Sequence, residues 1–348
     1  MVTDKACSIA LVVPGLCGPA IDAPLEEYLV AETPALDRLL SWSYQSTAAA
    51  TLDAVLAAFF VPLADAVEPL PVASLTWLAD TGESRNDYLL RIDPVHVRAD
   101  QSCLRLFDAA TFSLQPDETA ALVVTINTFF GERGWKVQAP HPQRWYLALA
   151  EVPDMRTVNP DEIRGEDIND CLPTGPDSRE WHVLMNAVQM LLHDHPVNAA
   201  RVARGELPVN SIWPWGGGIL PAIAATAVAQ VITDQPVLIG LAQRAGVARR
   251  DLPGASGELP GLLQAGLNLV VVDYLEKAAR YGDVEAWSEG ASQLEQTWCA
   301  PVLDLLKRRQ LSALDIYPVN GQRFSLQRRH LRHFWKHLRP FTTGCRHV

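Results

Sequence analysis

Residues 195–218, HPVNAARVARGELPVNSIWPWGGG, form the densest polar stretch of the chain and run into an apolar Ile-Trp-Pro-Trp and three glycines. Three chemistries fit these residue types. The first is structural: His193 and His195 stand near the end of a helix, where a cation or a carbonyl-seeking donor is favoured by roughly 0.3–1 kcal/mol, and the asparagines and Arg204-Gly205 supply turn chemistry. The second makes His193, Asp194 and His195 metal ligands, against which stands the divergence of neighbouring side chains on a helix and the want of a second His/Cys/Asp cluster. The third makes Asn198, Arg201 and Arg204 an anion-facing set, because residues three apart share a helical face and guanidinium groups grip carboxylate or phosphate with two hydrogen bonds. Gly216, Gly217 and Gly218 would let a backbone come close to a ligand, but WGGG has neither the P-loop Lys-Ser/Thr nor the G-x-G-x-x-G register, so nucleotide binding is not indicated.

The elements that must carry these side chains follow from periodicity. SIALVV, from Ser8, is a continuous apolar run suited to a strand inside a covered sheet. TPALDRLLSWS begins a helix with Thr33 as N-cap and Pro34 in the first turn, and a second helix lies across AAATLDAVLAAFF. From Tyr88 the texture changes: alternating strands, an amphipathic helix over PDETAALVVTINTFFGERG, and two further strands in WKVQAP and QRWYLALA. The spacing predicts a long helix over REWHVLMNAVQMLLHDH, with Trp181, Leu184, Met185, Val188, Leu191 and Leu192 on its inner face. Beyond it helices and strands alternate: VLIGLAQRAG, LNLVVVD, the helical VEAWSEGASQLEQTWCAPVLDLLKRR, the strand LDIYPVN and a final helix in LQRRHLRHFWKHL. Such alternation predicts an α/β fold, a mostly parallel sheet covered on both faces by helices, with a small α+β insertion. The expected division is a discontinuous core, 1–85 and 176–348, and an inserted subdomain, 86–175.

Composition narrows the class. With 348 residues, 48% of them hydrophobic, the chain can bury a sizeable core. Its six cysteines form no C-x-x-C pair, which fits reduced thiols and a cytoplasmic location better than a disulfide framework. No apolar run reaches the roughly 18 residues of a membrane span. The net charge of −11 is uneven: residues 1–322 carry −18 and the last 26 carry +7. In the expected final helix Leu331, Phe334, Trp335 and Leu338 form an apolar stripe, flanked by Arg328, Arg329, Arg332, Lys336 and Arg339. That helix either docks on the acidic body or touches an anionic partner such as nucleic acid; docking is favoured.

The segment HPVNAARVARGELPVNSIWPWGGG resembles the H-P-x-N, R-x-x-R-G, P-x-N and G-x-G stretch of archaeal-type cofactor-independent phosphoglycerate mutases, members of the alkaline phosphatase superfamily. The resemblance extends thinly through TPALDRLL, VASLTWLAD, PVLIGLAQRAGV and LNLVVVDYLEKAARYGD. SIWPWGGG and NAVQMLLHDHPVN also resemble the RpfE-type bacterial regulatory proteins.

The resemblance implies an alkaline-phosphatase-like fold, and in active relatives two divalent cations that activate a Ser or Thr for phosphoryl transfer. At the matching positions this chain reads differently. PGLCG places Pro14 and Gly18 where carboxylates would stand after the first strand, Leu70 and Pro71 fall at the nucleophile, Glu276 and Arg280 replace an Asp and a His, and no Asp-His pair follows IYPVNG. The resemblance therefore implies a catalytically inactive protein, with no catalytic residue, metal or other cofactor, in a regulatory or interaction role. Its partners would be a protein or a small phosphorylated or carboxylate metabolite bound by His195, Asn198, Arg201, Arg204 and Asn210. The alternative is an active mutase or phosphatase with rearranged ligands, drawing on Ser74, His193, His195 and Glu276.

Overall fold

A computed structural model of the chain describes residues 6–19, 32–60, 69–100, 103–109, 111–160, 163, 168–223, 226–332 and 337–344. The chain opens with β1 (Ser8–Val12), α1 (Pro34–Trp42), β2 (Tyr44–Thr47) and α2 (Leu52–Phe60). It continues through α3 (Val72–Thr81), β3 (Tyr88–Asp100), β4 (Cys103–Asp108), α4 (Pro116–Phe130), β5 (Val137–His141), β6 (Arg144–Leu149), α5 (Ser178–His193), α6 (Pro196–Ala203) and β7 (Ser211–Gly218). After these come β8 (Val228–Ile232), α7 (Pro236–Ala245), β9 (Ala248–Arg250), α8 (Leu259–Leu262), β10 (Leu267–Val271), α9 (Tyr274–Tyr281), α10 (Val284–Leu294), α11 (Ala300–Lys307), β11 (Ala313–Tyr317), β12 (Gln322–Gln327) and α12 (Phe341–Gly344). No described helix is long and apolar enough to cross a membrane.

Two compact units divide the chain, one of Met1–Glu68 and Ala222–Val348, the other of Pro69–Pro221. The first unit is α/β. Its seven-stranded sheet has the order β2-β12-β11-β1-β10-β8-β9. Strands β11, β1, β10, β8 and β9 run parallel; at one edge β12 pairs antiparallel with β11, and β2 antiparallel with β12. The parallel strands are short apolar runs, as strands covered on both faces must be; Ile9, Ala10, Leu11 and Val12 of β1 are all buried. Leu36 and Leu39 of α1, Trp287 of α10, Trp298 and Leu306 pack into the same core. Between α10 and α11 the chain takes a π-turn at Glu295–Cys299, which aims the Glu295 carboxylate at α1. There it accepts from the backbone N–H of Ala35 and Leu36 at 2.8 and 2.9 Å. Pro34 helps to start α1 as expected, but its orphan donors are met by this distant carboxylate, since Thr33 makes no side-chain cap.

The second unit is an antiparallel sheet with helices. The 13-residue β3 is its axis, pairing β7 along one edge and both β6 and β4 along the other. Helices α4 and α5 cover it through Leu122, Ile126, Trp181, Leu184 and Val188. This unit is wider than the expected 86–175. SIWPWGGG is a strand of its sheet, and a Cβ at Gly216 or Gly218 would stand 3.0 or 2.5 Å from the side chains of Val72 or Pro71. Residues 69–85 and 176–221 therefore pack with the unit they flank in sequence.

The expected final helix is also corrected. Gln322–Gln327 alternates between buried and half-buried positions, the period of a strand, and β12 pairs β11 antiparallel. Arg328–Arg332 is a short 3-10 turn, while Phe334, Trp335 and Lys336 lie outside the described residues. Phe341, past the expected helix, does the docking: its ring stacks on Trp287 with centroids 5.4 Å apart, and its N–H donates to Asp37 at 2.8 Å.

Candidate functional site

In an open parallel sheet the turns after the strands' carboxyl ends are where ligands bind, so the exits of β1, β10, β8 and β11 are the first place to look. After β1 the chain turns at once: Val13 N–H donates to Tyr317 O, and Leu16 and Gly18 N–H close tight turns onto Val13 O and Gly15 O. Gly15 has φ +77°, and its carbonyl accepts from Trp287 Nε1 at 2.8 Å. A Cβ on Gly15 would stand 2.8 Å from Glu276 Cα and 2.9 Å from Leu275 O. The β1 exit thus lies directly against the first turn of α9, and backbone fills the space between them.

Several polar groups at this edge hold local partners. Asn320 Nδ2 donates to Cys17 Sγ at 3.1 Å, the Thr233 hydroxyl accepts from Gln235 N–H at 3.0 Å, and Arg280 donates to Glu276 one helical turn away. Asp315 lies within β11 and accepts from Arg323 Nη2 at 2.9 Å and from the Ser325 hydroxyl at 2.6 Å. A pair of divalent cations needs several oxygen or imidazole donors converging on one point. Among the described residues no group of three or more His, Cys, Asp or Glu converges in that way. Asp234 and Asp273 also follow β8 and β10, but among the described residues the donors do not converge as a dinuclear centre requires.

The 195–218 segment belongs to the second unit, and its polar side chains have internal partners. His195 is the N-cap of α6. Its Nδ1 accepts from Val197 N–H at 3.2 Å and its Nε2 meets the Thr125 hydroxyl at 3.0 Å, which together define a neutral ring with the proton on Nε2. Burial holds its pKa below the usual histidine value, and neither nitrogen keeps a lone pair for a metal. Asn198 is buried; it donates to Leu192 O and Val209 O and accepts from Val209 N–H. Asn210 pairs with both backbone groups of Val97 at 2.7 and 2.8 Å, extending the β3–β7 ladder by one side chain.

The arginines meet a carboxylate that the sequence reading passed over. Arg201, 1% exposed, donates through Nη1 to Glu118 Oε2 at 2.6 Å, through Nη1 to Ser113 O and through Nε to Leu207 O. Arg204 Nη2 donates to the other Glu118 oxygen at 2.6 Å and to Glu206 at 2.7 Å. Hydrogen bonds from Arg204 hold Glu206 below the usual carboxylate range. Two guanidinium groups thus face two carboxylates, and an incoming anion would have to displace Glu118. Nη2 of Arg201 is buried with no hydrogen-bond partner, its guanidinium carbon 5.5 Å from the Phe112 ring centre. The expected anion-facing set is a structural clamp that joins α6 to the start of α4.

Of the groups in the rearranged-ligand alternative, Ser74, His193 and His195 belong to the second unit and Glu276 to the first. Ser74 is buried in α3 and its hydroxyl donates to Gly218 O. His193 sits exposed at the end of α5, 3.9 Å from Asp194.

A second buried polar cluster was also missed. Arg91 and Asp93, two apart on β3 and so on one face, form a bidentate pair at 2.8 and 2.6 Å. Asp93 also accepts from Trp215 Nε1 and Trp145 N–H. Asp80 beside them accepts from Arg144 Nε at 2.8 Å and the Tyr146 hydroxyl at 2.6 Å. Burial opposes ionisation of Asp80, but the hydrogen bonds from Arg144 and Tyr146 prevail and hold its pKa below the usual range. The R-x-D spacing inside an apolar strand was the available signal.

No family model matches the chain. The 2,3-bisphosphoglycerate-independent phosphoglycerate mutase of Methanothrix thermoacetophila is 34% identical over 179 residues, 47% of this chain and 46% of that protein. The enzyme of the same description from Methanosarcina mazei is 30% identical over 162 residues, 42% of this chain and 41% of that protein. The matches span less than half the length of these relatives. A solved cofactor-independent phosphoglycerate mutase from Thermoplasma acidophilum aligns over 92% of this chain and 90% of its own, with TM-score 0.46 and 16% identity. The chain is phosphoglycerate-mutase-like in sequence, and its first unit is an α/β fold on a largely parallel sheet.

Proposed function

We propose that this chain is a phosphoglycerate-mutase-like scaffold without the two-metal phosphoryl transfer of the alkaline phosphatase superfamily, serving a regulatory or interaction role in the cytoplasm. The observation that carries this reading is the closure of the β1 exit onto α9, where Gly15 meets the backbone of Leu275 and Glu276. In a working two-metal site that exit must offer carboxylate oxygens to the cations; here it offers proline, glycine and a carbonyl already engaged by Trp287. Without such cations a serine or threonine hydroxyl stays protonated and a poor nucleophile. The resemblance of SIWPWGGG and NAVQMLLHDHPVN to RpfE-type regulatory proteins supports the same reading.

Arg201 and Arg204 hold Glu118 and Glu206 in this role rather than a free metabolite. The test of this reading is turnover: purified full-length protein supplied with manganese, cobalt or zinc should interconvert 2- and 3-phosphoglycerate, and hydrolyse phosphate monoesters, no faster than a metal-only blank. Metal-dependent turnover that scales with protein concentration and survives repurification would establish the rearranged-ligand enzyme instead.

A further inference from the structure

We propose that the outer face of α5 is a self-association surface on which two copies of this chain pair antiparallel about a twofold axis. The inner face of this helix is spent on the core, through Trp181, Leu184, Met185, Val188 and Leu192. The opposite face carries Arg179, Val183, Asn186, Met190 and His193, all exposed, at successive spacings of four, three, four and three residues. This is the spacing that keeps a straight seam along a helix facing a second helix. Val183 is 58% exposed and Met190 80%. Single exposed apolar residues need no explanation, but two on one such seam, seven apart, form a strip that a second apolar strip would cover.

Charge selects the occupant and its direction. In the antiparallel register whose axis passes between Asn186 and Ala187, Val183 of one copy comes level with Met190 of the other. The same register brings Arg179 level with Asp194, and Glu180 level with His193, at both ends. A parallel pair would instead set Arg179 against Arg179 and Asp194 against Asp194. One register therefore matches the apolar and the charged positions together, and it also opposes the two helix dipoles. The face that fits α5 is α5 itself.

The helix has 16 residues, about 24 Å of contact at 1.5 Å per residue. Two such faces bury less than the roughly 1,200 Å² at which stable interfaces begin, so the dimer is a weak, concentration-dependent one. Sedimentation equilibrium of the full chain from about 1 to 500 μM should show the average mass rising from monomer toward dimer. Met190→Glu should weaken association at least tenfold, while Val202→Glu, at a 59%-exposed position on α6, should leave it unchanged. Arg179→Glu and Asp194→Arg should each weaken it, and the two together should restore it, because the exchanged charges meet again across the axis. A monomer at every concentration, a dimer indifferent to Met190→Glu, or a double variant no better than its parents would overturn the proposal.

Discussion

Gly15 and Glu276 stand so close that a single methyl group does not fit between them: a Cβ on the glycine would lie 2.8 Å from the Glu276 Cα. This contact ties the turn after the first parallel strand to the helix after β10, and it sets the character of the sheet's carboxyl edge.

Gly15→Ala should therefore destabilise the protein by more than the backbone conformation alone requires. Gly282 has a similar φ, +69°, with nothing within 4 Å of a built Cβ. Gly282→Ala should cost roughly 1–2 kcal/mol, the penalty for a left-handed alanine. Gly15→Ala should exceed it clearly in denaturant unfolding; equal losses would mean that the turn does not press on α9.

Glu118 is the shared acceptor of Arg201 and Arg204. Removing it by Glu118→Ala leaves the buried Arg201 charge only the exposed Glu206, 3.5 Å away, a loss of up to roughly 3–5 kcal/mol. The milder Glu118→Gln should open a cationic notch at Arg201 and Arg204, so that the variant's melting temperature rises with added phosphate or sulfate. If the native protein is stabilised by these anions as strongly as the variant, the clamp is open to ligands after all.

Asp93 accepts four hydrogen bonds, from Arg91, Trp145 and Trp215. Asp93→Ala should destabilise the second unit by about 3–5 kcal/mol, and a paired Arg91→Met, Asp93→Leu replacement should recover much of that loss, since an apolar pair requires no desolvation of charge. Chemical denaturation of the three variants decides it.

Burial lowers the pKa of His96, His141 and His195 below the usual histidine value of about 6.5. An unfolded chain thus takes up protons near pH 6.5 that the folded chain refuses until lower pH. Stability from these three is fully present above about 6.5 and is lost as pH falls through their depressed folded values. His195→Gln should flatten part of the slope of melting temperature between pH 7 and 5; an unchanged slope would remove His195 from the account.

Much of this architecture is legible in the residues. SIALVV, LNLVVVD and LDIYPVN are strands because each is a short apolar run between turn residues, and α1, α2, α4, α5 and α7 begin and end near their prolines, glycines and periodic faces. Legibility fails where a long-range partner decides. LQRRHLRHFWKHL has a helix's apolar spacing, yet its first residues finish a strand because Arg323 and Ser325 meet Asp315 across the ladder. SIWPWGGG looks like a ligand loop until β3 pairs with it. At the polar segment the same holds: Arg201 and Arg204 share a face suited to an anion, and the carboxylate that meets them is Glu118, more than eighty residues earlier. What the local sequence did show was the want of carboxylates at PGLCG, to which the structure adds the contact with α9.

The most direct test of the scaffold reading is metal binding by the full-length protein. Asp22, Glu26, Glu27, Asp65 and Glu68 lie outside the described residues, and a titration of the whole chain includes them. Calorimetric titration with manganese and with zinc, after dialysis against a chelator, should show no site of micromolar or tighter affinity. Two equivalents of either ion bound per chain, lost on replacing Glu276 by Gln, would contradict it.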